Sequence, residues 1–152
     1  MRKPDKRVFM LLHWAITIAF FMLLMSGFLL LYPELRLELI GGYSLTLINV
    51  HKYVAIAYVP LVLVYLWNLY MVYTTLGLWQ KIHIAAVSIF GALLVISGFG
   101  VWFYRDLPYR VVADSSSVHD IMTFLVIPVL LIHLTQIRKV QGFVQKRLKN
   151  LT

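Results

Sequence analysis

Residues 8–32 read VFMLLHWAITIAFFMLLMSGFLLLY and contain no charged side chain. About 20 predominantly apolar residues cross the hydrocarbon core of a bilayer as an α-helix, with a range of about 17–25. The stretch follows a basic start, MRKPDKR, as a secretory signal does. It is longer than the apolar part of such a signal, and no small-residue cleavage site follows it. The pattern predicts an uncleaved first transmembrane helix.

Three further uncharged runs occupy residues 53–80, 82–104 and 121–137. Hydrophobic residues make up 61% of the 152-residue chain, whereas soluble domains are about 45–50% apolar. We therefore predict an all-α integral membrane protein, folded as a four-transmembrane-helix bundle in a single membrane domain, residues 1–152. The predicted spans are approximately residues 8–32, 51–79, 82–104 and 117–138.

The segment SSSVHD, residues 115–120, is predicted to begin the fourth helix. A serine can cap a helix N-terminus, and Asp120 suits the positive end of the helix dipole. The basic segment RKVQGFVQKRLKN, residues 138–150, is predicted to form an amphipathic tail on the membrane surface.

The net charge of +8 is distributed unequally across the predicted membrane. With four spans both termini lie on one side, which then carries ten of the 14 basic residues, while the other side carries five of the six acids. The positive-inside rule therefore predicts cytoplasmic termini. We interpret the basic excess as a topology signal with some affinity for anionic lipid, and not as nucleic-acid binding. The ten residues are Arg2, Lys3, Lys6, Arg7, Lys81, Arg138, Lys139, Lys146, Arg147 and Lys149.

All five histidines lie in or at the ends of the predicted spans. The chain has no cysteine, which excludes iron–sulfur clusters, covalently attached haem and disulfides within it. His119 and His133 are fourteen residues apart, so on a helix they lie within about 40° of one face and about 21 Å apart along the axis. The histidines are His13, His51, His83, His119 and His133.

Four of these histidines form two pairs of matching predicted depth. His13 and His133 each lie about 8 Å inside the cytoplasmic boundary, and His51 and His119 lie at the outer ends of their helices. Two imidazoles at equal depth on different helices are what bis-histidine ligation of haem iron requires. The spacing predicts an inner and an outer haem b. The alternatives are histidines that hydrogen-bond a neighbouring helix, and transport of ions or protons, which recruits intramembrane carboxylates that this chain lacks at mid-depth.

His83, Lys81 and Gln80 form a polar corner at the cytoplasmic start of the third span. A quinone headgroup needs hydrogen-bond donors and a source of protons, so this corner is a candidate site for menaquinone or ubiquinone. An interfacial hydrogen-bonded histidine and haem ligation remain alternatives for His83. Four outer cations are candidate partners of haem propionates, although solvated topology charges explain each of them as well. They are Arg36, Lys52, Arg105 and Arg110.

An internal repeat is visible. The segment LHWAITIAFFMLLMSGF, residues 12–28, is similar to IHIAAVSIFGALLVISGF, residues 82–99. His51 and His119 each precede a proline by nine residues. The repeat predicts two helical hairpins of common pattern.

The segments LHW at His13, NVHKYVAIA at His51, KIH at His83 and VHDIMTFLVIPVLLIH at residues 118–133 cover all four spans. In these segments the chain resembles the four-helix di-haem b-type cytochromes. That family includes the membrane subunits of formate dehydrogenase, nickel–iron hydrogenase and thiosulfate reductase, and the bacterial cytochrome b561 proteins. The resemblance implies that the fourth helix supplies one ligand to each haem, that the first helix completes the inner site and that the second completes the outer site. It also implies quinone chemistry near the inner haem and a bacterial or archaeal inner membrane.

The expected function is electron transfer across the membrane, as the anchor subunit of a quinone-linked oxidoreductase. The expected partner is an outer-side redox subunit with iron–sulfur clusters or multiple haems. The alternative is a stand-alone cytochrome b561-type quinone reductase that uses a small outer donor such as superoxide. The third hypothesis is a structural anchor or a histidine-containing transporter without haem.

Overall fold

The computed structural model describes the backbone of residues 6–73 and 76–149 and the side chains of residues 7–71 and 76–134. Its regular structure in these ranges is helical throughout. Four of the five helices contain stretches long and apolar enough to cross a membrane, and many of their large apolar side chains are exposed, as contact with lipid requires. This confirms the all-α class and gives four helices able to span a membrane, which indicates a multi-pass membrane protein. The helices are α1 (Lys6–Leu31), α2 (Pro33–Ile40), α3 (Ser44–Tyr73), α4 (Leu78–Trp102) and α5 (Tyr109–Lys149).

The chain forms two compact units, Met1–Thr74 and Thr75–Thr152. In the first unit α1 packs against α3, and α2 lies in the connection between them. In the second unit α4 packs against α5. Each unit is therefore built on one pair of membrane-spanning helices, which agrees with the two hairpins predicted from the repeat.

The second spanning helix begins earlier than its charge pattern predicts. α2 has Pro33 in its first turn, and it is closed by Gly41, whose φ of 65° is the left-handed conformation that glycine adopts without strain. α3 then starts at Ser44 instead of residue 51. His51 lies seven residues into the helix, about 10 Å from its start. The prediction that His51 sits at the end of its helix was therefore wrong.

The fourth spanning helix also begins early, at Tyr109 instead of residue 117. Pro108 precedes it, and the Pro108 carbonyl accepts the Val112 amide 3.2 Å away. Proline suits a helix start because its φ is fixed and its missing N–H would have no helical partner. Residues 115–117 consequently lie within α5, where the Ser117 hydroxyl donates to the Ala113 carbonyl at 3.0 Å. The predicted serine cap was wrong, and His119 lies ten residues into the helix, about 15 Å from its start.

The third spanning-length helix, α4, has a capped start. The Gly77 amide donates to Oε1 of Gln80 at 3.0 Å, which satisfies one of the N–H groups that a helix start leaves without a backbone partner. α4 therefore begins at Leu78, and the predicted second span, 51–79, extended too far. At its other end α5 continues to Lys149, and the side chains of the predicted basic tail lie outside the described residues.

Candidate histidine site

In the first unit, His51 of α3 contacts a buried serine of α1. Ser26 is 5% exposed, and its Oγ lies 2.8 Å from Nδ1 of His51. The same hydroxyl donates to the Met22 carbonyl at 2.6 Å. Because a hydroxyl has a single hydrogen, the Ser26 oxygen accepts a hydrogen bond from His51 Nδ1–H. The neutral imidazole then carries its lone pair on Nε2.

In the second unit, His119 of α5 has the same environment. Ser97 of α4 is 4% exposed, donates to the Leu93 carbonyl at 2.6 Å, and places its Oγ 3.1 Å from His119 Nδ1. The Leu94 carbonyl is 3.2 Å from the same nitrogen. A carbonyl can only accept, so His119 Nδ1 carries the hydrogen and Nε2 carries the lone pair.

A glycine follows each of these serines and makes room for the imidazole. A Cβ atom on Gly27 would lie 3.5 Å from His51 Cε1, and one on Gly98 would lie 3.3 Å from His119 Cε1. Each unit thus places a Ser-Gly pair of one helix against a histidine of the other. The sequence repeat has a structural counterpart at these histidines.

His133, the second histidine of α5, also faces α4. Its Nδ1 lies 2.8 Å from Nε2 of His83, and the two rings are nearly parallel, with an interplanar angle of 12°. His119 and His133 therefore both contact the same neighbouring helix. This confirms the prediction that the fourteen-residue spacing places them on one face of α5.

In the first unit the corresponding ring contact joins His13 and Tyr65. Their ring centroids are 5.8 Å apart, and Tyr65 also stacks on Phe9 at 4.8 Å. Tyr65 follows His51 by fourteen residues, as His133 follows His119. Sequence reasoning missed Tyr65, although this repeated spacing was available to find it. From the sequence, Ser26 and the other small residues were expected only to let a macrocycle or a neighbouring helix approach, and not to hydrogen-bond a histidine.

The three quinone candidates lie at the start of α4. Gln80 caps the helix through Gly77, and His83 hydrogen-bonds His133. Lys81 is half-buried. The corner therefore directly adjoins a histidine predicted to ligate the inner haem.

Arg36 is one of the four cations predicted to lie on the outer side. Its Nε is buried, and no hydrogen-bond acceptor for it is found among the described residues. Arg105 differs, because its Nε donates to the Tyr104 hydroxyl at 2.9 Å and its guanidinium lies 5.5 Å from the Tyr104 ring centroid. Lys52 is half-buried and Arg110 is exposed. An anionic group, such as a propionate, would satisfy Arg36.

The donor set fits haem better than a metal ion held by the protein alone. Haem iron takes two axial imidazoles, whereas a structural zinc ion takes four protein ligands. No group of three or more histidine, cysteine, aspartate or glutamate side chains suited to a metal ion occurs in the described part of the chain. Each predicted haem pair takes one histidine from each unit, and both pairings stay predictions.

Comparison of the chain with known protein families, with curated proteins and with solved structures finds no match.

Proposed function

We propose that the chain is a membrane-embedded di-haem b-type cytochrome, which carries electrons across the bilayer between an outer-side donor or acceptor and the quinone pool. One observation carries the proposal. His51 and His119 both bond through Nδ1 to a buried serine, so both rings hold their lone pair on Nε2. Ligating histidines have their other ring nitrogen held in this way. A histidine that only joins two helices has no need for the same tautomer in both repeats.

The proposed ligands are His51 and His119 for the outer haem iron and His13 and His133 for the inner one. When bound, haem supplies a one-electron iron couple. The residues of this chain hold and orient it. The glycines beside the outer histidines give the imidazoles room, and His83 holds the ring of His133.

The proposed quinone site is the corner formed by His83, Lys81 and Gln80. The Oε1 atom of Gln80 accepts the Gly77 amide, so its side-chain NH₂ is the part that can donate to a quinone carbonyl. His83 and Lys81 are further donors, and His83 adjoins the proposed inner ligand. Menaquinone and ubiquinone both carry the two carbonyls that such donors bind.

The proposed location is a bacterial or archaeal inner membrane, with both termini in the cytoplasm. The supporting observation is the concentration of basic residues on the side of the termini. Many of these residues, including Arg2, Lys3 and Arg138, have side chains outside the described residues.

We assign the chain as the anchor subunit of an oxidoreductase complex. The chain has no cysteine for an iron–sulfur cluster, which favours substrate chemistry in an outer partner with iron–sulfur clusters or multiple haems. The second candidate, a stand-alone cytochrome b561-type quinone reductase with a donor such as superoxide, uses the same four ligands. Purification from native membranes in mild detergent separates the two, because only the subunit retains a redox partner.

The deciding experiment counts haem and assigns it to ligands. A pyridine haemochromogen assay on the full chain should give two haems per protein, since four histidines form two pairs. Alanine variants should then fall into two spectral classes in redox titration and electron paramagnetic resonance. His51→Ala and His119→Ala lose the outer haem, and His13→Ala and His133→Ala lose the inner one.

The matched control is Asn68→Ala. Asn68 is a polar residue of α3 whose amide donates to the Val64 carbonyl of its own helix, so its loss should leave both haems in place. A stoichiometry of one or zero in folded protein refutes the di-haem proposal. A shared phenotype of the His13 and His51 variants refutes the pairing.

A further inference from the structure

We propose that Ser26 and Ser97 are matched positioning residues, which fix the Nδ1–H tautomer and the ring orientation of His51 and His119 before any cofactor binds. For its consequences on haem the inference rests on the proposed function. For the tautomer it rests on the hydrogen bonds of the chain alone.

Both serines are restricted to accepting a hydrogen bond from the imidazole. Each is buried, and each donates its only hydrogen to a carbonyl four residues earlier in its own helix at 2.6 Å, Met22 for Ser26 and Leu93 for Ser97. Such a back-bond to the helix fixes the hydroxyl rotamer. The oxygen lone pairs are left for the histidine, and they require a hydrogen on Nδ1.

The second unit contains a second acceptor that bears on the hydrogen position, the Leu94 carbonyl, which also lies 3.2 Å from Ser97 Oγ. The Leu94 carbonyl lies 3.2 Å from Nδ1 of His119, and a carbonyl has no hydrogen to give. The Ser97 geometry and the Leu94 geometry therefore require the same tautomer. The environment of His51, which repeats the serine and the following glycine, extends this assignment to the first unit.

A fixed Nδ1–H bond has two consequences for a ligand. It removes the rotational and tautomeric freedom that the imidazole would otherwise lose on binding iron. It also raises the basicity of Nε2, as hydrogen bonds from the second ligand shell do in other histidine–metal sites. A more basic ligand favours ferric over ferrous iron, so the serines lower the midpoint potential of the outer haem.

The first test reads the tautomer without haem. Nitrogen-15 NMR of the full chain, produced without haem and labelled in histidine, should show two rings in the Nδ1–H form, assigned by their loss in His51→Ala and His119→Ala. The hydrogen on a neutral imidazole is set by the bond its ring nitrogens make. In the double variant Ser26→Ala/Ser97→Ala the Nδ1–H population of His51 should fall, and that of His119 should fall less, because the Leu94 carbonyl remains beside its Nδ1. An unchanged population in the double variant overturns the inference.

The second test reads the outer haem in the same double variant, because the Leu94 carbonyl can partly replace Ser97 in a single one. Loss of a hydrogen bond to a ligating histidine typically weakens metal binding about 10- to 100-fold. Retention of the outer haem should therefore fall by a factor in that range. A tenfold loss of ferric selectivity raises a one-electron potential by about 59 mV. The threonine variants Ser26→Thr and Ser97→Thr keep the hydroxyl and should restore both quantities.

The matched control is Ser117→Ala. Ser117 makes the same type of back-bond, to Ala113, but on an exposed face of α5. Its loss should change neither the tautomer nor the outer haem. If the control shifts the potential as much as the double variant does, the serines have no positioning role. If the NMR result holds but no haem binds to the unmodified chain, the positioning role stands and the proposed function fails.

Discussion

Gly100→Ala should destabilise the second unit, because α4 and α5 approach each other closely at this residue. A Cβ atom on Gly100 would lie 2.6 Å from Ser115 Cβ and closer still to Ser115 Oγ. Rotation of the serine side chain moves Oγ but not Cβ. Carbon atoms in contact are about 3.5–4.0 Å apart, so the two helices must separate locally by about 1 Å.

The expected magnitude combines two opposing effects. Overpacking of a close contact costs about 1–3 kcal/mol. Replacing glycine by alanine inside a helix returns about 0.8–1.0 kcal/mol. The free energy of unfolding should therefore fall by between about zero and 2 kcal/mol, which alone is difficult to interpret.

Gly91→Ala resolves this, because it is the same substitution in the same helix with no atom within 4 Å of the new Cβ. The Gly91→Ala variant gains the same helix propensity but makes no close contact with a neighbouring atom. The difference in unfolding free energy between the two variants isolates the contact, and it should be about 1–3 kcal/mol. Denaturation in detergent, followed by circular dichroism and tryptophan fluorescence, measures it.

Two results test the close approach of α4 and α5 at Gly100. Equal stability of Gly100→Ala and Gly91→Ala would refute the close approach of α4 and α5. The double variant Gly100→Ala/Ser115→Gly removes the opposing Cβ and should remove the contact penalty, at a helix-propensity cost of up to about 1 kcal/mol for the new glycine. Because Ser97 and Gly98 lie within one turn of Gly100, separation of the helices should also weaken the His119 hydrogen bonds.

Gly98→Ala should perturb the facing imidazole and shift the outer-haem spectrum, because the new Cβ lies only 3.3 Å from the ring. Gly27→Ala should not, because its new Cβ lies at an ordinary contact distance of 3.5 Å. Equal spectra of the two variants would contradict this. His83→Ala should shift the potential of the inner haem and leave the outer one unchanged, because His83 bonds His133. The rate of haem reoxidation by a soluble quinone analogue should fall by about 10²-fold in this variant if His83 also delivers the proton. A change at the outer haem alone would exclude the placement of His83 beside the inner haem. Arg36→Met should stabilise the haem-free chain by about 1–3 kcal/mol, because it removes a buried donor without an acceptor. The same variant should also weaken haem retention. An unchanged free energy of unfolding in both the haem-free and the haem-bound chain would contradict a buried Nε.

The sequence by itself determined the features that depend on local chain properties. The four helices able to span a membrane were predicted from uncharged runs such as residues 8–32, because the hydropathy of a run depends on its composition alone. The common face of His119 and His133 follows from helical periodicity, which is the same in any fold. The starts of α3 and α5 were predicted less accurately from the sequence. No charge or proline separates Ser44 from His51, and Pro108 outweighed the serines at 115–117 as a helix start.

Only the tertiary structure decided what the histidines contact. Ser26 and His51 are 25 residues apart, and His83 and His133 are 50 apart, so neither contact leaves a periodic trace in the sequence. The direction of each hydrogen bond depended on a further group, the carbonyl that takes the serine hydrogen. A histidine in an apolar helix is visible in the sequence, but the nitrogen that carries its lone pair is set by neighbours that only folding brings within hydrogen-bonding distance.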